Sequence, residues 1–201
     1  MDRTTAENDS NARIAVLVHG LFDSPLIFFR LAHRLKEAGW TAHAVRLRPN
    51  SARPGLDRLA QQLKIDVEQK IPADQRIDLI GFSMGGLVAR YYLQRLGGLQ
   101  RTRRLITISS PHLGSRTARF LPNTGGRQMR PGSAFLKDLN SDVHMLESLD
   151  PVSLWSPWDL VVRPPANAIL PIGQSIKVGI PLHSLMILSR RSIDRVVEVL
   201  R

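Results

Sequence analysis

Along the chain, short continuous apolar runs alternate with longer stretches in which apolar positions recur every three or four residues. The run IAVLVH at 14–19 has no polar face, as expected of a strand buried on both sides. Ser24 and Pro25 then offer an N-cap and a first-turn proline, so the stretch ending near Gly39 reads as a helix. Residues 40–47 read as a second strand. Leu56, Leu59, Leu63 and Val67 form a helical stripe over 56–70. A third strand is expected at 76–82, a helix at 84–96 and a fourth strand at 103–109. From Pro111 to Asp150 the chain is loop-rich, with one short helix around 133–139. Strands follow at 152–158 and near 175–180. Ile193, Val196, Val197 and Leu200 share one face of a closing helix. This alternation predicts an α/β fold with a mainly parallel sheet of about six strands and helices on both faces. No repeat or composition shift divides residues 1–201, so one domain is expected. Residues 1–12 would be a flexible tail, and 111–150 a lid-like insertion.

One stretch breaks this pattern. Between the third strand and its helix lies GFSMGG, with Ser83 flanked by Gly81 and Gly85. Glycine is costly inside regular elements, so its repetition here points to a backbone bent sharply at a crowded place. In open parallel sheets, ligands bind beyond the carboxyl ends of the strands, where Ser83 falls. Gly-x-Ser-x-Gly between strand and helix is a nucleophile elbow. It exposes the serine hydroxyl. It also leaves the Met84 amide at a helix start, free to donate to a developing oxyanion, with the helix dipole aligned the same way.

The chain resembles the α/β-hydrolase superfamily, in particular the small serine lipases and esterases without a large cap. VLVHGL at 16–21 is similar to the family's His-Gly oxyanion loop, and GFSMGG to its elbow. SSPHLGS at 109–115 and MRPGSAFLKDLN at 129–140 resemble segments downstream of it. Many lipases carry histidine where this chain has Phe82. The resemblance implies a triad in the chain order serine, acid, histidine. Asp159 directly follows the fifth strand, and His183 is the only histidine beyond it. Ser83, Asp159 and His183 are therefore the expected catalytic residues. Asp150 should lie at the wrong edge of the sheet. His112 precedes Asp159 and is expected to hold its own loop, as is His19. The second oxyanion donor is implied to be the amide of Leu21, with Phe22 one residue away as the alternative; Met84 supplies the first. Phe22, Phe82 and Trp158 are candidates for substrate contact, and Trp155 and Trp158 would suit either an acyl pocket or plain core.

Composition narrows the chemistry. The absence of cysteine excludes disulfides, thiolate catalysis and cysteine-based metal sites. No metal-spaced cluster or phosphate loop is visible, and no cofactor is expected. The N-terminus lacks an apolar secretory core and no run is long enough to span a bilayer, so a cytoplasmic protein is expected. The net charge of +11 rests on 23 arginines and only 5 lysines. Spread diffusely, they mean little. Gathered at one pocket mouth, they would draw in anionic substrates or favour weak association with an anionic lipid surface. No aromatic-interleaved basic motif argues for nucleic acid. The expected activity is hydrolysis of a small-molecule or lipid carboxylic ester through an acyl-enzyme. Acyl transfer or thioester hydrolysis by the same triad, and a non-catalytic binding protein on this scaffold, are the alternatives.

Overall fold

The computed structural model describes residues 13–201, so the expected tail at 1–12 lies outside the described residues. Six strands form one parallel sheet: β1 (Arg13–Val18), β2 (Trp40–Val45), β3 (Ile77–Phe82), β4 (Thr102–Ile108), β5 (Val152–Trp155) and β6 (Gln174–Lys177). Their order is β2-β1-β3-β4-β5-β6, so the chain leaves β1 outward to β2 and returns past it to β3. The parallel sheet with helices packed on both faces is the α/β architecture that the sequence predicts.

Strand side chains alternate between faces, and two apolar clusters result. Val16, Val18 and Leu79 face α2 (Leu56–Lys70) and α3 (Met84–Arg95). Ala15, Leu17 and Ile80 face α1 (Phe29–Glu37) and the closing helix α7 (Arg190–Leu200). Every residue of central β3 is buried. One of them is charged: Asp78 accepts from Trp40 Nε1 at 2.8 Å and from Arg103 Nε at 2.9 Å, which satisfies the carboxylate that the core has taken from water.

The local differences from expectation have simple causes. The Ser24 side chain makes no capping bond. Pro25 brings no N–H, and residues 25–28 form a short 3₁₀ turn before α1 begins at Phe29. β5 stops at Trp155 rather than 158, because Pro157 cannot donate to a ladder. Segment 111–150 holds more helix than expected: 3₁₀ turns at 116–120 and 143–149, α4 (Thr124–Gln128) and α5 (Ala134–Ser141). Arg90 on α3, with no exposed surface, fastens α5 by donating to the Leu139 carbonyl at 2.6 Å and to Asn140 Oδ1 at 3.0 Å. Gln94 donates to the same carbonyl at 2.7 Å, and Arg95 pairs with Asp138 and Asp142. A short helix α6 (Leu185–Leu188) precedes α7.

Candidate active site

The elbow is built by its glycines. A side chain on Gly85 would meet the Val18 carbonyl oxygen at 2.0 Å, and one on Gly81 would meet Gly86 Cα at 2.5 Å. Neither position can carry a Cβ, so β1, β3 and α3 close on one another with Ser83 at the apex. Ser83 itself has φ 53° and ψ −123°, a conformation that costs a residue with a Cβ about 1–3 kcal/mol. Its amide donates to the Ile108 carbonyl at 2.8 Å, and its carbonyl accepts from Gly86 at 3.1 Å. These bonds help hold the strained turn.

Two loops bring the partners. Ser156 accepts from the Trp158 amide at 3.2 Å and donates to the Ile180 carbonyl at 2.6 Å, tying the loop after β5 to the loop after β6. His183 then stands between Asp159 and Ser83. Its Nδ1 lies 2.8 Å from Asp159 Oδ2, and its Nε2 lies 2.9 Å from Ser83 Oγ. The other carboxylate oxygen of Asp159 accepts from the amides of Val161 at 2.8 Å and Val162 at 3.0 Å. Burial opposes ionisation of Asp159. The hydrogen bond and charge of His183, with those two amides, outweigh it and hold the carboxyl below its ordinary range. An ionised carboxylate accepts only, so Nδ1 carries the ring proton and Nε2 is left to accept from the Ser83 hydroxyl.

The remaining candidates fall in different places. The Phe22 amide donates to the Asn50 carbonyl at 2.9 Å and is committed there, which leaves the Leu21 amide as the candidate for the second oxyanion donor. Leu21 and Ser83 border one narrow cavity of about 60 Å³, with Ala118, Leu121, Met129 and Val161 among its other walls. Phe22, Phe82 and Trp158 are not in that lining. Phe82 is buried under the imidazole of His183, with ring centroids 5.1 Å apart, because the strand's alternation turns it into the core. Phe22 and Trp158 are each 63% exposed. The residues that do line the cavity come largely from segment 111–150, whose irregular pattern gave no hint of which side chains turn inward.

Two other histidines hold loops near the site. The Leu47 amide donates to His19 Nε2 at 3.1 Å, so His19 Nδ1 donates to the Gly20 carbonyl at 2.9 Å and orders the loop carrying Leu21. Fully buried His112 contacts Thr107 Oγ1 at 3.0 Å, and its carbonyl accepts from Asn140. Asp150 lies beside Arg104 and Gly173, away from Ser83. No local pattern in the sequence marks Asp23. Its Oδ2 and Ser83 Cβ sit 2.8 and 3.1 Å from one point over Gly20, which puts a second carboxylate close to the Ser83 side chain. Burial raises its pKa, against the pull of His19 and His183. Among the described residues no group of histidine, aspartate and glutamate is placed to hold a metal ion, and no helix is long and apolar enough to cross a membrane.

A family model described as palmitoyl protein thioesterase matches residues 15–154 of the 201. The chain belongs to the palmitoyl protein thioesterase family. The match spans β1 through most of β5 and includes the elbow, but ends before Asp159 and His183. A comparison with curated proteins returns no match. Among solved structures, the mature Bacillus licheniformis lipase BlEst2 superposes with a TM-score of 0.76 at 18% identity, covering 99% of this chain and 96% of that one. Aspergillus fumigatus lipase B gives 0.80 at 15% identity, covering 100% of this chain but 55% of its own length. The monoacylglycerol lipase of Paleococcus ferrophilus gives 0.70 at 14% identity over 93% of both chains. At such identities the likeness is one of fold. Together, family and fold make the chain an α/β-hydrolase of the lipase, esterase and thioesterase group.

Proposed function

We propose that the protein hydrolyses carboxylic esters through Ser83, His183 and Asp159, by way of an acyl-enzyme. The observation that carries this reading is the unbroken hydrogen-bond path from Asp159 through His183 to Ser83 at the apex of the elbow. His183 takes the hydroxyl proton as Ser83 attacks the carbonyl carbon. The amides of Leu21 and Met84 stabilise the tetrahedral oxyanion, and the N-terminus of α3 adds its dipole. His183 then gives its proton to the leaving group. The same residue activates water to release the acid. Asp159 stabilises the imidazolium throughout, and Asp23, when ionised, adds a second negative charge nearby.

The family match favours a second reading on the same machinery, hydrolysis of acyl thioesters. The two differ in leaving group and share every residue named above. Cavity size bears on the acyl side of either. About 60 Å³ is far below the roughly 300–1,000 Å³ of pockets that enclose a whole small ligand. Only the first carbons of an acyl chain fit inside, and the rest must lie along the open apolar rim.

The test is hydrolysis of p-nitrophenyl esters and acyl thioesters of matched chain length by wild type and Ser83→Ala, with fluorophosphonate labelling of both. Activity and labelling lost together in the mutant support the serine mechanism, and the ratio of the two rates selects between leaving groups. A folded wild type that neither labels nor turns over either series would overturn the proposal.

A further inference from the structure

The rim of the site is unlike the rest of the surface. It consists of the loops beyond the carboxyl ends of the strands: residues 19–30, 46–55, 109–133, 156–163 and 178–189. Hydrogen bonds join them into one face. Asn123 Nδ2 donates to the Ser51 carbonyl at 2.8 Å, Thr117 Oγ1 to the Val161 carbonyl at 2.6 Å, and the Arg116 amide to the Arg163 carbonyl at 2.9 Å. Of the twelve large apolar side chains described as exposed, ten belong to these loops, including Leu26, Phe29, Phe120, Leu160 and Leu182. Scattered exposed apolar residues need no explanation, but a concentration at one edge does.

The same loops carry nine arginines and only two acids, Asp23 and Asp159, both drawn into the site. None of the nine takes part in the ion pairs found among the described residues. Two stack on exposed rings of the rim. The Arg30 guanidinium lies 5.5 Å from the Phe29 ring centroid, and Arg119 lies 5.0 Å from Phe120. Such a pair can place its ring at the acyl boundary while its cation reaches the phosphates above.

We infer that this rim is a docking surface for an anionic phospholipid membrane. The excess of arginines without an acidic partner complements lipid phosphates, and the apolar fringe has the depth-graded chemistry of an interface. A nucleic acid would match the charge but leave ten large apolar side chains without a role. The narrow cavity fits the same picture: a docked enzyme receives the reacting carbonyl while most of the acyl chain stays in the lipid. This last step rests on the proposed hydrolase reading; the docking surface itself does not.

The experiment uses Ser83→Ala protein, which separates binding from turnover. It is sedimented with vesicles of phosphatidylcholine alone and of phosphatidylcholine mixed with phosphatidylglycerol, at low and high salt. Binding to the mixed vesicles alone, released by salt, is expected. Arg116→Glu with Arg119→Glu should weaken it about thirtyfold or more, and Phe29→Ser with Phe120→Ser should weaken it about tenfold or more. The same pairs in active protein should leave hydrolysis of a short soluble ester unchanged. No binding to anionic vesicles at low salt overturns the inference. So does equal binding to neutral vesicles, undiminished binding by the variants, or capture by an oligonucleotide with no vesicle binding. Failure of ester hydrolysis with vesicle binding intact would count against the enzyme reading only.

Discussion

Asp159→Asn puts the proposed mechanism under its hardest test, because the structure dictates how the new amide must sit. Oδ1 of Asp159 receives two backbone N–H groups, from Val161 and Val162, so only an oxygen is tolerated at that position. The NH₂ of asparagine is therefore forced to the place of Oδ2, facing His183 Nδ1 across 2.8 Å. Two donors cannot face each other. The imidazole answers by moving its proton to Nε2, which can then no longer accept from Ser83. The side chain keeps both backbone bonds, so folding should be little affected. Catalysis should not survive: a triad held in the wrong tautomer loses about 10⁴-fold in kcat, or about 5 kcal/mol of transition-state stabilisation. The assay is kcat on a short p-nitrophenyl ester, with circular dichroism to verify the fold. A folded variant keeping more than about a tenth of the activity has lost less than about 1.4 kcal/mol. That would refute both the tautomer argument and the assignment of Asp159.

Three further outcomes are expected. Gly85→Ala would drive a Cβ to 2.0 Å from the Val18 carbonyl oxygen, so β1 and α3 must separate; soluble yield and melting temperature should collapse, whereas Gly39→Ala, with open space around it but positive φ, should cost far less. His19 and His112 are both held below the ordinary histidine pKa of 6.5, first by desolvation; the unfolded chain then binds more protons below that pH, so stability falls on acidification by up to about 1.4 kcal/mol per pH unit for each, and denaturant melts of His112→Gln should show a shallower slope between pH 7 and 5. Leu121→Ala opens the cavity beside Ser83 and should shift the acyl-length optimum upward, changing the relative kcat/KM for one methylene by about tenfold or more.

The legible parts of the fold were those governed by local rules. Buried parallel strands read as short apolar runs, and helices as stripes, so β1 to β4 and α2, α3 and α7 were placed within a residue or two. Segment 111–150 was not legible in that way. Its short helices are pinned by Arg90, Gln94 and Arg95, side chains 45 or so positions away in sequence, and no local pattern carries that information. The extent of β5 is hidden for a related reason, since an apolar run continues past Pro157 although the ladder cannot.

For the site the division is similar. Ser83 announced itself because the bend it occupies excludes side chains at Gly81 and Gly85, a steric demand written directly into residue type. Asp159 and His183 followed from chain order within a resembling family, and the hydrogen bonds that join them to Ser83 are a property of the folded loops alone. The bond that occupies the Phe22 amide, and so favours Leu21 as the candidate donor, runs to Asn50 in a different loop. The walls of the cavity, the proximity of Asp23 and the gathering at one rim of arginines without an acidic partner arise where separate segments converge. Residue type determines what chemistry each position can perform and what backbone it tolerates. Which positions meet is decided by the packing of the sheet and its loops, because contact across a hundred residues is a three-dimensional fact that no single stretch of chain contains.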